Sequence, residues 1–293
     1  MNRSFHFLVN PSSGGGAAPA AVLPVARLLR GAGARVDVSY SPGVSECRRL
    51  AVEAIGRGDV VVAVGGDGMV ASLAGCVVDA GGVLGIVPSG RGDDFARQLR
   101  IPADPEPVAK TLLDAEPRSV DVIRAHTEGR SCVVVGSLYA GVDSRASELV
   151  DRAHRLPRAV QYPYAAVRAL LTFDFPSYRI VLDGTEHRYE ACTVVVANSG
   201  FYGAGMHIAP DASVTDGLLD VVVIRAASRL ALVRSLPKLY DGSHVLLDDV
   251  LVLRGREVTI YAEPSVTAYG DGEPIAPVPV TASVQPGALS VLA

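Results

Sequence analysis

Short apolar runs alternate with helix-like segments through the first 125 residues of the chain. The helix-like segments lie around residues 22–31 and 45–57, and a third begins at Met69. Four apolar runs of strand length separate them: Phe5–Val9, Val36–Tyr40, Val60–Val64 and Val83–Val87. This alternation predicts a mostly parallel, doubly wound sheet, in which ligands collect at the carboxyl ends of the strands.

From about Cys132 the apolar runs become hairpin-like, and turn residues separate them. Six of these runs are strand candidates: Tyr178–Leu182, Arg188–Asn198, Leu218–Ile224, Val250–Leu253, Val258–Ala262 and Val266–Tyr269. The pattern predicts a second, β-rich domain. We place the boundary so that residues 1–124 form the α/β domain and residues 125–283 form the β domain.

The strand candidate Val60–Val64 runs into Gly65-Gly66-Asp67-Gly68, and a helical pattern follows at once. Glycines let the backbone approach a ligand closely, and a helix start offers unpaired N–H groups and a positive dipole end to an anion. Asp67 then stands where a metal ion or a ribose would bind. A tight turn in which Asp67 only caps the helix explains these residues equally well.

Two more polar loops follow strand candidates in this half of the chain. Residues 10–16 are Asn-Pro-Ser-Ser-Gly-Gly-Gly, and a flexible turn is their simpler interpretation when they are taken alone. Residues 88–97 follow the fourth strand and supply two carboxylates and a cation. Because the loop at residues 10–16 and the Gly65–Gly68 loop fall at the same edge of the predicted sheet, these two loops together favour a site for a polyphosphate.

Three aspartates follow or flank the predicted strands: Asp67, Asp94 and Asp121. Mg²⁺ prefers oxygen ligands and keeps several waters near phosphates, so convergence of these side chains predicts a magnesium site. Helix capping by Asp93 or Asp94 explains one member of that pair and need not explain both.

Asp271-Gly272-Glu273 lies between two strand-like runs, where an Asp-Gly pair favours a hairpin turn. Glu273 gains a chemical role only if the second domain folds over the nucleotide loops, because its carboxylate can then accept a proton from an attacking hydroxyl. The acidic segment 211–220 is by itself a turn with solvated acids that could also hold a structural cation.

Basic and aromatic residues accompany an apolar helical stripe between residues 152 and 173. Such a segment suits a membrane surface or an amphiphilic substrate. A core stripe beneath a solvated face is the more common explanation, and it is the one we prefer for this segment.

The composition and charge of the chain narrow the possible classes of function. The chain has 293 residues, 49% of them hydrophobic, and a formal charge of -4, which argues against nucleic-acid binding through a broad basic field. The four cysteines form no Cys-x-x-Cys pair, so we expect reduced thiols in the core. No segment approaches the roughly 18 apolar residues of a membrane span. We expect a cytoplasmic protein, with at most peripheral contact to a membrane.

Five motifs in sequential order resemble the catalytic domain shared by diacylglycerol kinases, sphingosine kinases and soluble bacterial lipid kinases. The resemblance spans nearly the whole chain. The motifs are Asn-Pro-x-Ser-Gly at 10–14, Gly-Gly-Asp-Gly at 65–68, Pro-x-Gly-x-x-x-Asp-Phe-Ala-Arg at 88–97, Ile-Ala-Pro-Asp-Ala at 208–212 with Asp-Gly-Leu-Leu-Asp-Val at 216–221, and Asp-Gly-Glu at 271–273.

The resemblance implies an enzyme with an NAD-kinase-like, doubly wound N-terminal domain and a β-sandwich, and with the active site in the cleft between them. It also implies that a last strand, residues 284–293, returns to the first domain. ATP and Mg²⁺ are the implied cofactors. The implied nucleotide-site residues are Asn10, Pro11, Ser12, Ser13, Gly14, Ser39, Gly65, Gly66, Asp67, Gly68, Arg91, Asp94 and Asp121.

The resemblance further implies that Glu273 is the base for the lipid hydroxyl, with Asp271 beside it and Asp67 in the catalytic set. A second, structural Mg²⁺ would be held by the Ser213 carbonyl, the Asp216 side chain and the Leu218 carbonyl. The implied acceptor is a lipid or lipid-like alcohol, and a homodimer is an open expectation.

Three positions depart from the family pattern: Met69, Arg91 and Asp93, where the family has Thr, Thr and Asn. They keep a catalytically silent nucleotide- or lipid-binding protein open as an alternative. An NAD kinase-like enzyme is a second alternative, because such enzymes also use Gly-Gly-Asp-Gly. That alternative leaves the Asp-Phe-Ala-Arg segment and Asp271 to Glu273 without an explanation.

Overall fold

The computed structural model describes residues 3–11, 18–40, 43–90, 92–152 and 158–293. In its first part, strands and helices alternate along the chain. The strands are β1 (Ser4–Val9), β2 (Arg35–Tyr40), β3 (Val60–Gly65) and β4 (Leu84–Pro88). The helices are α1 (Ala18–Gly31), α2 (Val44–Gly56), α3 (Asp67–Ala80), α4 (Asp94–Gln98) and α5 (Pro105–Asp114).

These four strands form a parallel sheet in the order β2-β1-β3-β4. Successive side chains of a strand point to opposite faces, so both faces of this sheet need cover. Phe5 and Phe7 pack with α1 and α5 on one face, whereas Leu8 packs with α2 and α3 on the other. The predicted doubly wound arrangement is therefore confirmed.

The second part is mostly antiparallel. Its strands are β5 (Pro117–Thr127), β6 (Arg130–Val134), β7 (Ser137–Gly141), β8 (Ser177–Leu182), β9 (Thr185–Ala197), β10 (Leu219–Arg225), β11 (Val250–Gly255), β12 (Glu257–Glu263), β13 (Thr267–Gly270), β14 (Glu273–Pro277) and β15 (Val280–Leu292). Its helices are α6 (Val142–Arg152), α7 (Arg158–Thr172), α8 (Arg229–Ser235) and α9 (Lys238–Asp241), with a 3₁₀ turn at Ser243–Leu246.

The long strand β9 belongs to both layers of the sandwich. Its first half pairs with β8, and its second half pairs with β7 and β10. Buried side chains such as Leu138 and Val196 from one layer meet Ile180 and Ile260 from the other. The predicted β-sandwich is confirmed, and its outer face, next to β7, forms one wall of the candidate site.

Strand β15 connects the two parts of the molecule. Val280–Ser283 pair with β12 of the sandwich, and Val291 pairs in parallel with Leu84 of β4. One continuous network of paired strands therefore runs through both parts. The domain limits of residues 1–124, 125–283 and 284–293 stay a prediction.

Candidate active site

A cavity of about 860 Å³ lies where the Gly65–Gly68 loop faces the turn between β13 and β14. Several carboxylates contribute to its lining, among them Asp67 and Asp94 from the first part and Asp271 and Glu273 from this turn. Apolar and aromatic side chains from the sandwich side complete it, including Tyr139, Leu170, Tyr202, Leu232 and Leu239. The volume lies within the range of about 300–1,000 Å³ that is typical of small-molecule sites.

Two glycine loops touch each other beside this cavity. The Ser89 N–H donates to the Gly65 carbonyl over 3.1 Å. A Cβ atom on Gly90 would stand only 2.4 Å from the Cα of Gly66, and one on Gly66 would stand 3.0 Å from the Cα of Gly90. The close approach of the two backbones thus requires glycine at both positions.

Asp67 is the first residue of α3, and its Oδ1 accepts the Phe95 N–H over 3.2 Å. Burial raises the pKa of its carboxyl group. Met69, two residues later, is buried in the core on the α2–α3 face of the sheet. The side chain at this departing position therefore packs into the protein rather than lining the cavity.

Asp94 joins the two parts of the molecule. Its Oδ2 accepts the Ala204 N–H over 2.9 Å, and its Oδ1 accepts the Gly205 N–H over 2.7 Å. Burial, followed by the negative charge of Asp67, raises the pKa of Asp94 to about 6. The carboxylate of Asp94 thus positions a loop of the second part against the first.

Asp93 has a local role. Its carboxylate accepts the Gly90 N–H over 2.9 and 3.1 Å, and its own backbone is left-handed with φ 48. Burial raises the pKa of Asp93 to about 6. These contacts close the loop after β4, which explains the carboxylate at this position without a ligand.

Asp271 holds the β13–β14 turn in place. Its Oδ2 accepts the Val135 N–H over 2.7 Å, and its Oδ1 accepts the N–H groups of Gly136 and Ser137 over 2.8 and 3.2 Å. Burial raises the pKa of Asp271 to about 6, although the three N–H groups act in the opposite direction. Since both carboxylate oxygens already accept hydrogen bonds, Asp271 positions the turn that carries Glu273.

Glu273 is the first residue of β14 and is exposed. Its Oε1 lies 3.8 Å from the place where a Cβ on Gly68 would stand, so the carboxylate sits beside the start of α3. The second part therefore does fold over the Gly-Gly-Asp-Gly loop. This closure is the condition under which Glu273 has a chemical role.

Comparisons with known proteins identify the family of the chain. The model of the diacylglycerol kinase catalytic domain matches residues 4–125, and the model of the YegS C-terminal NAD kinase beta sandwich-like domain matches residues 136–293. A diacylglycerol kinase of Mycobacterium tuberculosis (strain ATCC 25618 / H37Rv) is 34% identical over 97% of this chain and 93% of its own. The chain belongs to the diacylglycerol kinase family.

Two more distant members of the family extend the comparison. A protein of Stenotrophomonas maltophilia (strain K279a) named "Probable lipid kinase YegS-like" is 26% identical over 84% of this chain and 82% of its own. A crystal structure of a diacylglycerol kinase from Bacillus anthracis superposes with a TM-score of 0.73 at 18% identity, covering 99% of this chain and 96% of that chain. At that identity the structural likeness concerns the fold alone.

Asp121 is not brought to the cavity with the other two aspartates. It is buried, and its carboxylate accepts the Gly217 N–H over 2.8 Å and the Gly287 N–H over 2.7 Å. The two oxygens therefore connect the turn at Gly217 and strand β15 to β5. A place for Asp121 in the magnesium network of the kinase family stays a prediction.

The acidic loop proposed for a structural cation lies next to a guanidinium group. Arg254 pairs with Asp216 through Nη2 and with Asp220 through Nε, the latter at 3.1 Å. The other oxygen of Asp216 accepts the Leu218 N–H over 3.1 Å, and the Ser213 hydroxyl meets that of Thr215 at 3.2 Å. Arg254 thus already supplies positive charge where the family resemblance implied Mg²⁺.

Only some of the predicted phosphate-binding residues on and after the first two strands lie among the residues that the structure describes. Asn10 follows β1, and the Ser39 hydroxyl on β2 hydrogen bonds to His6 Nε2 over 2.9 Å. Neither is among the described residues that line the cavity, and nor is Pro11. The predictions for Ser12, Ser13, Gly14 and Arg91 lie outside the described residues.

Sequence reasoning missed the inner wall of the cavity. Asp143 and Thr193 line it together with the aromatic rings of Phe201 and Tyr202. Asp143 stands directly after an apolar strand at the start of a helix, where a carboxylate ordinarily indicates a helix cap. No local sequence pattern distinguishes an aspartate that caps a helix from one whose side chain faces a ligand.

Proposed function

We propose that this protein is an ATP- and Mg²⁺-dependent kinase that phosphorylates a hydroxyl group of a lipid or lipid-like alcohol. One observation carries the proposal: Glu273 of the sandwich lies beside Gly68 at the start of α3, at one end of a cavity whose other walls are largely apolar. A base, a phosphate loop and an apolar acceptor pocket are thus adjacent. The names of the family members support the same reaction class.

The nucleotide side of the proposal rests on the loops after β3 and β4. The start of the 14-residue helix α3 follows the glycines directly, which suits a triphosphate. Asp67 and Asp94 are oxygen donors whose pKa values are raised by burial, and a divalent cation would offset their mutual repulsion. In the part of the chain that the structure describes, no three acidic, histidine or cysteine side chains form a metal site alone. That fits Mg²⁺ held by one or two carboxylates and by phosphate oxygens.

The residues of the chain have two chemical roles: one accepts a proton, and others stabilise negative charge on the phosphoryl oxygens. Glu273 accepts the proton of the acceptor hydroxyl as its oxygen forms a bond to the γ-phosphorus and the bond to the ADP oxygen breaks. Backbone N–H groups at the start of α3 stabilise the phosphoryl oxygens. Mg²⁺, when bound, neutralises charge on the phosphates. Asp271 keeps Glu273 in position through its three backbone hydrogen bonds.

The test measures phosphoryl transfer from labelled ATP to diacylglycerol, other lipid alcohols and NAD. We expect Glu273→Gln to lower kcat by roughly 10²–10⁴-fold, the usual range for loss of a general base. Asp67→Ala should abolish turnover. Glu257→Gln is the matched control, because Glu257 is an exposed strand residue that does not line the cavity. Wild-type rates from Glu273→Gln, or transfer to NAD alone, would contradict the proposal.

We also propose that the face formed by α7 and α8 contacts the membrane from which the acceptor enters. Tyr164, Leu171 and Leu230 are 44%, 54% and 59% exposed, and Arg168 stands beside Tyr164. The helices are connected to the cavity, because Leu170 and Leu232 from the same two elements line it. No described helix is long and apolar enough to cross a bilayer, so the contact would be peripheral.

Vesicle flotation tests this surface. Leu171→Glu and Leu230→Glu together should reduce binding to vesicles of phosphatidylcholine and phosphatidylglycerol, since apolar burial and attraction to anionic lipid both contribute. Leu23→Glu is the control, because Leu23 is equally exposed at 53% on α1 of the first part. Equal loss from the control and the paired variant would refute this docking face.

A further inference from the structure

Four polar side chains form a continuous chain of hydrogen bonds across the parallel sheet. His6 on β1 is buried, and its ring lies between two partners: Arg57 Nη2 is 2.8 Å from His6 Nδ1, and Ser39 Oγ on β2 is 2.9 Å from His6 Nε2. Arg57 is held in turn by the buried carboxylate of Asp59, whose Oδ2 accepts the Arg57 Nε–H over 3.0 Å. The chain thus runs from Asp59 through Arg57 and His6 to Ser39.

The contact with Arg57 fixes the tautomer of His6. A guanidinium group contains only donors, so Arg57 donates this hydrogen bond and His6 Nδ1 accepts it. The proton of the neutral ring is therefore on Nε2, and this N–H donates to the Ser39 oxygen. Burial, followed by the positive charge of Arg57, lowers the pKa of His6, which agrees with a neutral ring at pH 7.

The Ser39 hydroxyl retains one unused donor. Its oxygen accepts from His6, and His6 is the one hydrogen-bond partner of the Ser39 side chain among the residues that the structure describes. Ser39 is half-buried and belongs to β2, which is the end strand of the sheet. Because His6 already supplies a proton, the Ser39 O–H donates away from the ring and suits a ligand atom that accepts a hydrogen bond.

The topology of the sheet indicates where a nucleotide would lie. In the order β2-β1-β3-β4 the chain turns to opposite sides after β1 and after β2, and ligands of such sheets bind at the carboxyl ends of the strands near this switch point. Ser39 is level with Ala63 across β1, roughly 10 Å away or two strand spacings. On the β4 side of the Gly65–Gly68 loop, the backbone of Gly90 lies against Gly66. A nucleotide with its phosphates on this loop therefore extends over β1 toward Ser39.

We propose that His6 is a positioning residue for the nucleotide: its Nε2–H holds the Ser39 oxygen so that the Ser39 O–H donates to an acceptor atom of bound ATP. The inference rests on the proposed function and adds to it a residue that does not line the cavity. Arg57 belongs to the same arrangement because it selects the tautomer. With the other tautomer, Nε2 would accept the Ser39 proton and none would remain for the nucleotide.

The first test determines the tautomer without any nucleotide. The ring nitrogen chemical shifts of the histidines are recorded by NMR at neutral pH, and His6→Phe identifies those of His6. We expect the His6 proton on Nε2. Arg57→Met should move part of the ring population to the Nδ1–H form, and it serves as the second variant if His6→Phe does not fold. A proton on Nδ1 in the wild type, or a charged ring, would overturn the inference whatever the protein phosphorylates.

The second test measures the Kd for ATP in the presence of Mg²⁺ by calorimetry. Ser39→Ala should raise this Kd by roughly three- to tenfold, the equivalent of one hydrogen bond, and His6→Phe should raise it by roughly threefold or more. Since His6 acts through Ser39, adding His6→Phe to Ser39→Ala should change the Kd by less than about twofold. His126→Phe is the control, because His126 is an exposed histidine on β5 and should leave the Kd unchanged.

The outcomes separate this inference from the proposed function. Additive effects of His6→Phe and Ser39→Ala, or a wild-type Kd in a folded His6→Phe variant, would overturn the positioning role while ATP binding itself persists. A wild-type protein that does not bind ATP would instead reject the proposed function.

Discussion

Replacement of Gly90 by alanine tests whether the two glycine loops form the phosphate site. The added Cβ would stand 2.4 Å from the Cα of Gly66 and 2.7 Å from Asp93 Oδ1. Carbon atoms in contact lie about 3.5–4.0 Å apart, so the loops must separate by at least ~1 Å. The obstructing atom belongs to the backbone, and no side-chain rotation can relieve the contact.

A displacement of this size has a kinetic consequence if ATP lies on these loops. Misplacement of reacting groups by about 1 Å can cost about 100-fold in rate. We therefore expect Gly90→Ala to lower kcat by about that factor and to raise the KM for ATP. Initial rates at varied ATP concentration with diacylglycerol as acceptor measure both constants, and thermal unfolding shows whether the fold persists.

Gly56→Ala is the matched control for this prediction. Gly56 is the last residue of α2, and a Cβ there would meet nothing within 4 Å. Alanine is favoured over glycine in a helix, so the control should keep its activity and its stability. A folded Gly90→Ala variant with wild-type kcat and KM for ATP would show that the nucleotide binds elsewhere.

Three further outcomes follow from the contacts of the site. Asp271→Ala leaves three backbone N–H groups unpaired, so we expect kcat to fall at least tenfold while the KM for ATP changes little. Equal changes in kcat and in the KM for ATP would contradict the role of Asp271 in holding Glu273. Arg254→Met leaves the buried Asp220 unpaired and should lower the free energy of unfolding by about 1–3 kcal/mol, whereas full rescue by Mg²⁺ would favour the predicted metal site. Asp94 has a pKa of about 6 in place of 3.8, so its contribution to stability is present in full below pH 4 and is lost, up to ~3 kcal/mol, as the pH rises through 6. Urea unfolding of Asp94→Asn between pH 4.5 and 7.5 should show a flatter profile, and an unchanged slope would reject this assignment.

The periodicity of the sequence was sufficient to predict the doubly wound sheet of the first part, whereas the β-sandwich and the return of the last strand were implied by the family resemblance. Alternation of apolar strands with helical segments predicts a doubly wound sheet because both faces of such a sheet must be buried. The glycine loops were predictable for a similar reason, since Gly65–Gly68 and Pro88–Gly90 directly follow apolar strands. Both features depend on residues that are close together in the chain.

Tertiary structure alone decided what each carboxylate contacts. The Asp121 carboxylate binds the N–H groups of Gly217 and Gly287, which are 96 and 166 positions away in the chain. Glu273 reaches Gly68 from the opposite part of the molecule, and Asp143 resembles a helix cap until the cavity beside it is seen. A local pattern reports which face of an element is buried. It does not show which distant backbone N–H groups donate hydrogen bonds to a buried carboxylate. Those hydrogen bonds determine which carboxylate is available to act on a ligand.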